Sequence, residues 1–140
     1  MNRKNIMRSL LVLAGVMLLF AAGSCRRASH NGKIDGNWKV LTIETLATGE
    51  VTDYSRSQVF IAINLELMQL RSGTFGSYTG IIDYDKGDHR LAVEFPDING
   101  ADQLRPYGID ENPVVFTVEK ANSKRLRLRT STKLITCRRF

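Results

Sequence analysis

Apolar and polar residues follow three regimes along the chain. Leu10 to Ala22 is an unbroken apolar run, preceded by Arg3, Lys4 and Arg8 with no acidic residue. Cys25 to Lys33 is polar or small and holds Arg26, Arg27, Ser29, His30, Asn31 and Gly32. From Ile34 to Phe140 the pattern is short and alternating, with a period near two, which is the period of a half-buried strand. Trp38, Val40 and Thr42 share one face of a first strand. Val59 to Arg71 is the longest apolar segment. Ile61, Ile63, Leu65 and Leu67 alternate there with Ala62, Asn64 and Glu66, which predicts one long strand, although Leu65 to Leu70 also suits a helix by propensity.

The segments between these runs carry turn chemistry. Leu46 to Ser57 is a polar connection containing Gly49. Ser77 to Tyr84 and His89 to Phe95 form an expected hairpin around Asp85-Lys86-Gly87-Asp88, with Gly87 supplying the positive φ of the turn. Pro96 to Pro106 is a loop with Asn99-Gly100 inside it. Val114 to Glu119, Arg125 to Thr130 and Lys133 to Phe140 read as three more strands, joined at Asn122-Ser123 and Ser131-Thr132. Leu126 and Leu128 alternate with Arg125, Arg127 and Arg129, giving an inner face and a wet face. The fold class expected is all-β: an antiparallel up-and-down meander of about seven to eight strands that closes into a small barrel and so removes its exposed edges.

The first regime has the parts of an export signal: a basic start, a short apolar stretch and a small-residue exit at Gly23-Ser24. Ala22-Gly23-Ser24-Cys25 resembles the lipobox of bacterial lipoproteins. That resemblance implies cleavage before Cys25 and acylation of Cys25. The division it implies is 1–24 signal peptide, 25–33 lipidated tether and 34–140 β-barrel domain. Arg26 follows the cysteine, where in such lipoproteins an aspartate commonly signals inner-membrane retention. The implied location is the cell envelope, on the periplasmic face of an outer membrane, with the membrane as a partner through the lipid. Acylated Cys25 cannot form a disulfide, which leaves Cys137 single, in an alternating stretch that suits a buried, inert thiol.

The leader also changes the meaning of the charge. The whole chain has 20 basic and 14 acidic residues, net +6. Three of the basic residues lie in the leader, so from Cys25 onward 17 bases stand against 14 acids, an excess of +3. The bases concentrate towards the end, from Lys120 to Arg139. A basic face can meet anionic lipid or an acidic partner. Nucleic acid is not an expected partner of an exported lipoprotein.

Gly36-Asn37-Trp38, opening the first strand, resembles the Gly-x-Trp of lipocalins and the wider calycin group. In that group the tryptophan plugs the closed end of the barrel, under a basic residue from near the end of the chain. The resemblance implies a barrel-end signature of Gly36, Trp38 and either Arg138 or Arg139; the alternation of Leu134, Thr136 and Arg138 makes Arg138 the better candidate. It also implies a barrel with an open end for a small apolar ligand.

Candidate chemistry is sparse. Asp83, Asp85, Asp88 and His89 in Asp-Tyr-Asp-Lys-Gly-Asp-His have the alternating carboxylates of a calcium loop but lack its closing glutamate, and they fit a hairpin tip instead. No Gly-x-Ser-x-Gly elbow, phosphate loop or zinc spacing occurs, and His89 is the single histidine in the domain. The sequence thus points to no catalytic residue, metal or cofactor. The expected function is a non-catalytic, membrane-anchored barrel that binds a small apolar ligand. The alternative is an accessory or inhibitory envelope lipoprotein that uses loops such as Pro96 to Pro106 and has no ligand cavity.

Overall fold

The computed structural model describes residues 2–21 and 29–140. The lipobox residues and Cys25 lie outside them. An N-terminal helix, α1, spans Arg3–Ala21. Among the described residues no helix is long and apolar enough to cross a membrane.

Nine strands make the rest: β1 (Gly36–Thr45), β2 (Glu50–Asp53), β3 (Val59–Asn64), β4 (Leu67–Ser72), β5 (Tyr78–Asp85), β6 (Arg90–Glu94), β7 (Val114–Ala121), β8 (Arg125–Arg129) and β9 (Lys133–Arg139). From β3 onward each strand pairs antiparallel with the next. β9 returns to pair with β1 from Thr45↔Lys133 to Trp38↔Arg139, and this closes an eight-stranded barrel. β2 is the extra strand. Both β2 and β3 run along the same edge of β1, but Thr42 faces Asp53 while Lys39 faces Phe60. The residues Tyr54 to Gln58 between them bulge out of what would otherwise be one continuous strand.

Alternation puts the apolar rows inside. Val59, Ile61 and Ile63 of β3, Leu91 and Val93 of β6, Val114 and Phe116 of β7, and Leu126 and Leu128 of β8 are all buried. Their neighbours along each strand turn outward, as expected for the arginines of β8, of which Arg125 is exposed and Arg127 and Arg129 are half-buried. The barrel is small enough for these side chains to fill it. Trp38, Phe95, Tyr107 and Phe116 are its largest wholly buried members.

Five details depart from the sequence reading. The inward face of Trp38 and Val40 continues to Ile43 and not to Thr42, because the β1–β9 register shifts between Val40 and Thr42. The segment Val59 to Arg71 is a hairpin, not one strand. Asn64 pairs with Leu67 across a two-residue turn at Leu65 and Glu66, and Leu65 takes a φ of 54°. No glycine marks this turn. What holds it is remote in sequence: Asn31 Nδ2 donates to the Leu65 carbonyl at 2.7 Å. The polar connection from Leu46 to Ser57 contains β2. In the β5–β6 turn the positive φ belongs to His89, at 54°, and not to Gly87. Finally, order begins inside the segment assigned to the tether. Asn31 is buried, and a 3₁₀ turn over Gly32–Ile34 drives Ile34 into the core.

Leu65 is 59% exposed and sits in backbone space that leucine adopts at a cost of about 1 kcal/mol. Leu65→Asn should therefore raise unfolding free energy by about 0.5–1 kcal/mol in denaturant titrations. An unchanged or lower value would show that the Asn31 contact, not the turn conformation, sets the energy of this hairpin.

Candidate functional site

A barrel offers two ends, and they are closed by different means. At the first, β1 begins and β9 ends. The Gly32–Ile34 turn crosses this end, and Trp38 stands beneath it with its indole Nε1 donating to the Ile34 carbonyl at 2.8 Å. The guanidinium of Arg139 lies over the ring, with Cζ 4.0 Å from the ring centroid. Its Nη1 donates to the Asp35 carbonyl at 2.7 Å. The cation thus satisfies a backbone oxygen and stacks on the indole face at once.

The covering residue is Arg139 and not Arg138. The reason is register. Trp38 pairs directly with Arg139, and Cys137 and Ile135 are the inward residues of β9 before it. Arg138 points outward beside Lys39. Gly36 completes the arrangement: a Cβ there would stand 1.9 Å from Arg139 Nη1, and φ is +135°. Only a glycine lets the guanidinium pass. The Asp35 carboxylate fixes the strap from below, accepting from the Asn31 backbone at 2.9 Å and from Asn31 Nδ2 at 2.7 Å.

The second end is where an open mouth was expected. It is shut by the loop between β6 and β7. Leu104, Tyr107 and Ile109 of that loop are fully buried in the barrel core. A 3₁₀ turn over Arg105–Tyr107 aims Tyr107 inward, and its hydroxyl donates to the Gly76 carbonyl. Tyr107 is the hub of an edge-to-face aromatic group. Phe75 and Tyr78 lie 6.2 and 6.3 Å from it, and Tyr54 packs on Phe75 at 6.3 Å. Gly108, at φ +80°, turns the chain back where Ile43 and Ile135 leave no room for a side chain. Asn112 pins the base of the loop: its amide bridges the Phe95 backbone N–H and carbonyl, both at 3.0 Å, and the Ile98 carbonyl at 3.1 Å.

Burial pushes the Tyr107 phenol up to about 12 and the Cys137 thiol up to about 12. Both stay protonated at neutral pH, and the thiolate that thiol chemistry requires is suppressed. Asp85, Asp88 and His89 shape the β5–β6 turn, where Asp85 Oδ1 accepts from the Asp88 backbone at 3.2 Å. Tyr107, Asn112 and Asn31 escaped the sequence reading. The available signal for Tyr107 was three apolar residues, Leu104, Tyr107 and Ile109, in a stretch otherwise built like a surface loop.

An eight-stranded up-and-down barrel, with a Gly-x-Trp strand at one end and an arginine over the indole, defines a calycin-type domain. The family model of the lipocalin-like domain matches residues 17–140, and the chain belongs to that family. Two solved structures resemble it. One is a lipocalin-like protein from Bacteroides uniformis ATCC 8492, at 17% identity and a TM-score of 0.63, covering 78% of this chain and 100% of its own. The other is an uncharacterized protein from Bacteroides eggerthii DSM 20697, at 13% identity and a TM-score of 0.53, covering 76% and 98%. At these identities the likeness is one of fold. A search of curated proteins gives no significant match.

Two outcomes follow for the ends. Arg139→Ala should cost about 2–3 kcal/mol in thermal or chemical unfolding and shift the Trp38 emission, whereas Arg138→Ala should cost less than about 0.5 kcal/mol. In alkali, raised pKa values mean stability that is complete below the unfolded-state values, 9.0 for the thiol and 10.0 for the phenol, and falls towards about 12. Stability measured against pH should decline across that window, and Tyr107→Phe should flatten the part above pH 10.0. An equal slope in the variant would mean that the phenol is not sealed from water.

Proposed function

We propose that this protein is a lipid-anchored, extracytoplasmic lipocalin-like barrel that binds a small apolar ligand at the Tyr107 end. Binding occurs in place of the side chains that its own loop inserts there. The observation that carries this reading is the nature of the plug. The mouth is filled by Leu104, Tyr107 and Ile109 from a long loop rather than by residues of the strands. Long ordered loops within compact domains commonly serve as lids or binding elements. The loop's base is fixed by Asn112. Its inserted part rests on apolar contacts, the phenol hydrogen bond and a hydrogen bond directly after Ile109, where Thr132 Oγ1 donates to Asp110 Oδ2 at 2.6 Å. Lifting the tip exposes a lining of aromatic and aliphatic groups, with few polar atoms to set orientation. Such a lining offers no acid, base or nucleophile, so the role is non-catalytic binding.

Anchoring rests on the sequence of the leader and on Cys25, as the lipobox resemblance implies. The location that follows is the cell envelope, at the periplasmic face of an outer membrane. A second reading draws on the filled interior. With Trp38, Phe95, Tyr107 and Phe116 wholly buried, a barrel that never opens would act through its surface, as an accessory or inhibitory partner of another envelope protein.

Native mass spectrometry of the chain extracted from envelope membranes distinguishes the two. The ligand reading expects a co-purifying apolar molecule, and expects Tyr107→Phe to bind a neutral naphthylamine probe more tightly. A chain that emerges empty, with equal probe binding in both forms, would leave the surface reading. Separately, Cys25→Ser should release the protein from membranes washed at high salt, which screens electrostatic attachment; retention unchanged under that wash would refute the anchor.

A further inference from the structure

The outer surface carries a feature that neither ligand binding nor barrel closure uses. Inter-strand register aligns Arg125, Arg138, Lys39, Phe60 and Arg71 as one rung across β8, β9, β1, β3 and β4. The neighbouring rung sets Lys120 opposite Arg127. Like charges directly opposite on neighbouring strands destabilise a sheet. None of these cations has a carboxylate partner: among the described residues the ion pairs are Arg105–Asp102 and Arg129–Glu119. Arg71 instead donates to Asn37 Oδ1 at 2.9 Å, and Arg138 to the Arg139 carbonyl at 3.1 Å. Beside the rung, Phe140 is 70% exposed, its ring packed edge-on against Phe60 at 4.8 Å between centroids. An open groove of about 860 Å³ adjoins the second rung. Lys33, Lys86, Lys120 and Arg127 line it, with Asp88 and with a Glu119 already engaged by Arg129. Arg127 Nε is buried at this place without a hydrogen-bond partner.

Position gives the belt its meaning. It starts at the Trp38 end, where Arg125 and Arg138 lie beside the entry of the chain through Asn31 and the Gly32–Ile34 turn, and crosses β1 and β3 to Arg71, next to Ser72 at the far end of β4. Both barrel ends carry mixed charge: Asp35, Glu66, Asp85 and Asp88 lie at the Trp38 end, and Arg56, Arg105 and Lys133 lie among the acids around the Tyr107 mouth. The rung itself holds four cations and no acid.

The geometry points to a docking surface for an anionic bilayer: the Arg125–Arg138–Lys39–Arg71 belt binds acidic lipid headgroups, and Phe140 inserts at the interface. Cations near an anionic leaflet add attraction charge by charge, and an exposed aromatic ring adds apolar burial. An acidic protein would need only the charges. The membrane is favoured because the exposed Phe140 ring, packed on Phe60 within the rung, adds an apolar element beside the cations. The role of this surface in the cell rests on the anchored reading above, but binding to lipid does not require acylation.

The test uses the full chain carrying Cys25→Ser, sedimented with phosphatidylcholine vesicles with and without phosphatidylglycerol. Binding should be stronger to the anionic vesicles and weaken as salt is raised. At about fivefold per cation, reversing three of them in Arg125→Glu/Arg138→Glu/Arg71→Glu should lower partitioning by at least about a hundredfold. Arg56→Glu/Arg105→Glu, away from the belt at the Tyr107 end, should leave it unchanged, which separates loss of the belt from a change in net charge. Phe140→Ser, which leaves every side-chain charge and the core in place, should weaken binding severalfold and covers the case of a misfolded triple variant. Equal binding to both vesicle types, equal binding by wild type and Phe140→Ser, or capture by polyglutamate without vesicle binding would each overturn the proposal. The last would assign the belt to an acidic protein. Loss of membrane retention at high salt in Cys25→Ser cells with vesicle binding intact would separate the anchor from the docking surface.

Discussion

The stack of Arg139 on Trp38 is the constraint on which the barrel depends. A meander has two free edges, and here they are β1 and β9; unless they meet, each presents unpaired backbone groups to any passing strand. Their seam ends at the Trp38↔Arg139 pair. At that point one side chain fills the narrow end, the other covers it, and the covering cation also ties the incoming chain through the Asp35 carbonyl. Each partner explains another residue. The indole N–H finds the Ile34 carbonyl, which fixes the 3₁₀ turn, and the guanidinium needs the space that Gly36 leaves. Arg139 is half-buried, and a ring face and a carbonyl give its charge partners in place of the water it loses.

The two ends of the barrel divide the labour. The Trp38 end is locked by side chains belonging to the seam itself, so opening it means opening the barrel. The Tyr107 end is sealed by a segment that is not part of the sheet, held mainly by apolar packing and by Asn112 at its base. Elements that lie at the low end of local stability are the ones able to move without global unfolding.

Much of this was legible from residue patterns, and the exceptions share a cause. Alternation in β3, β6, β7 and β8 carried enough information to assign inner and outer faces, because a strand with one buried face must repeat every two residues. In β1 it held only to Val40, after which a bulge turns Ile43 and not Thr42 inward. Leu65 shows where pattern fails: alternation runs unbroken through Ile63, Leu65 and Leu67, yet the chain reverses there because Asn31, far away in sequence, supplies the hydrogen bond. Gly87 shows the same failure in reverse, since the local turn signal named the glycine while the folded hairpin places the positive φ on His89.

By itself, the sequence determined the class of fold and the strand-rich domain after Ile34, because these follow from local periodicity and side-chain type; the pairing of a first-strand tryptophan with a late arginine was what the Gly-x-Trp resemblance implied. Tertiary structure alone decided which arginine that was, since a β-bulge between Val40 and Thr42 and the β1–β9 register set which face of β9 each residue takes. It also decided that the mouth is shut, because a loop's burial depends on where its ends are pinned. And it gathered Arg125, Arg138, Lys39 and Arg71 from four strands into one belt, a neighbourhood created by register across the sheet and absent from any linear stretch of the chain.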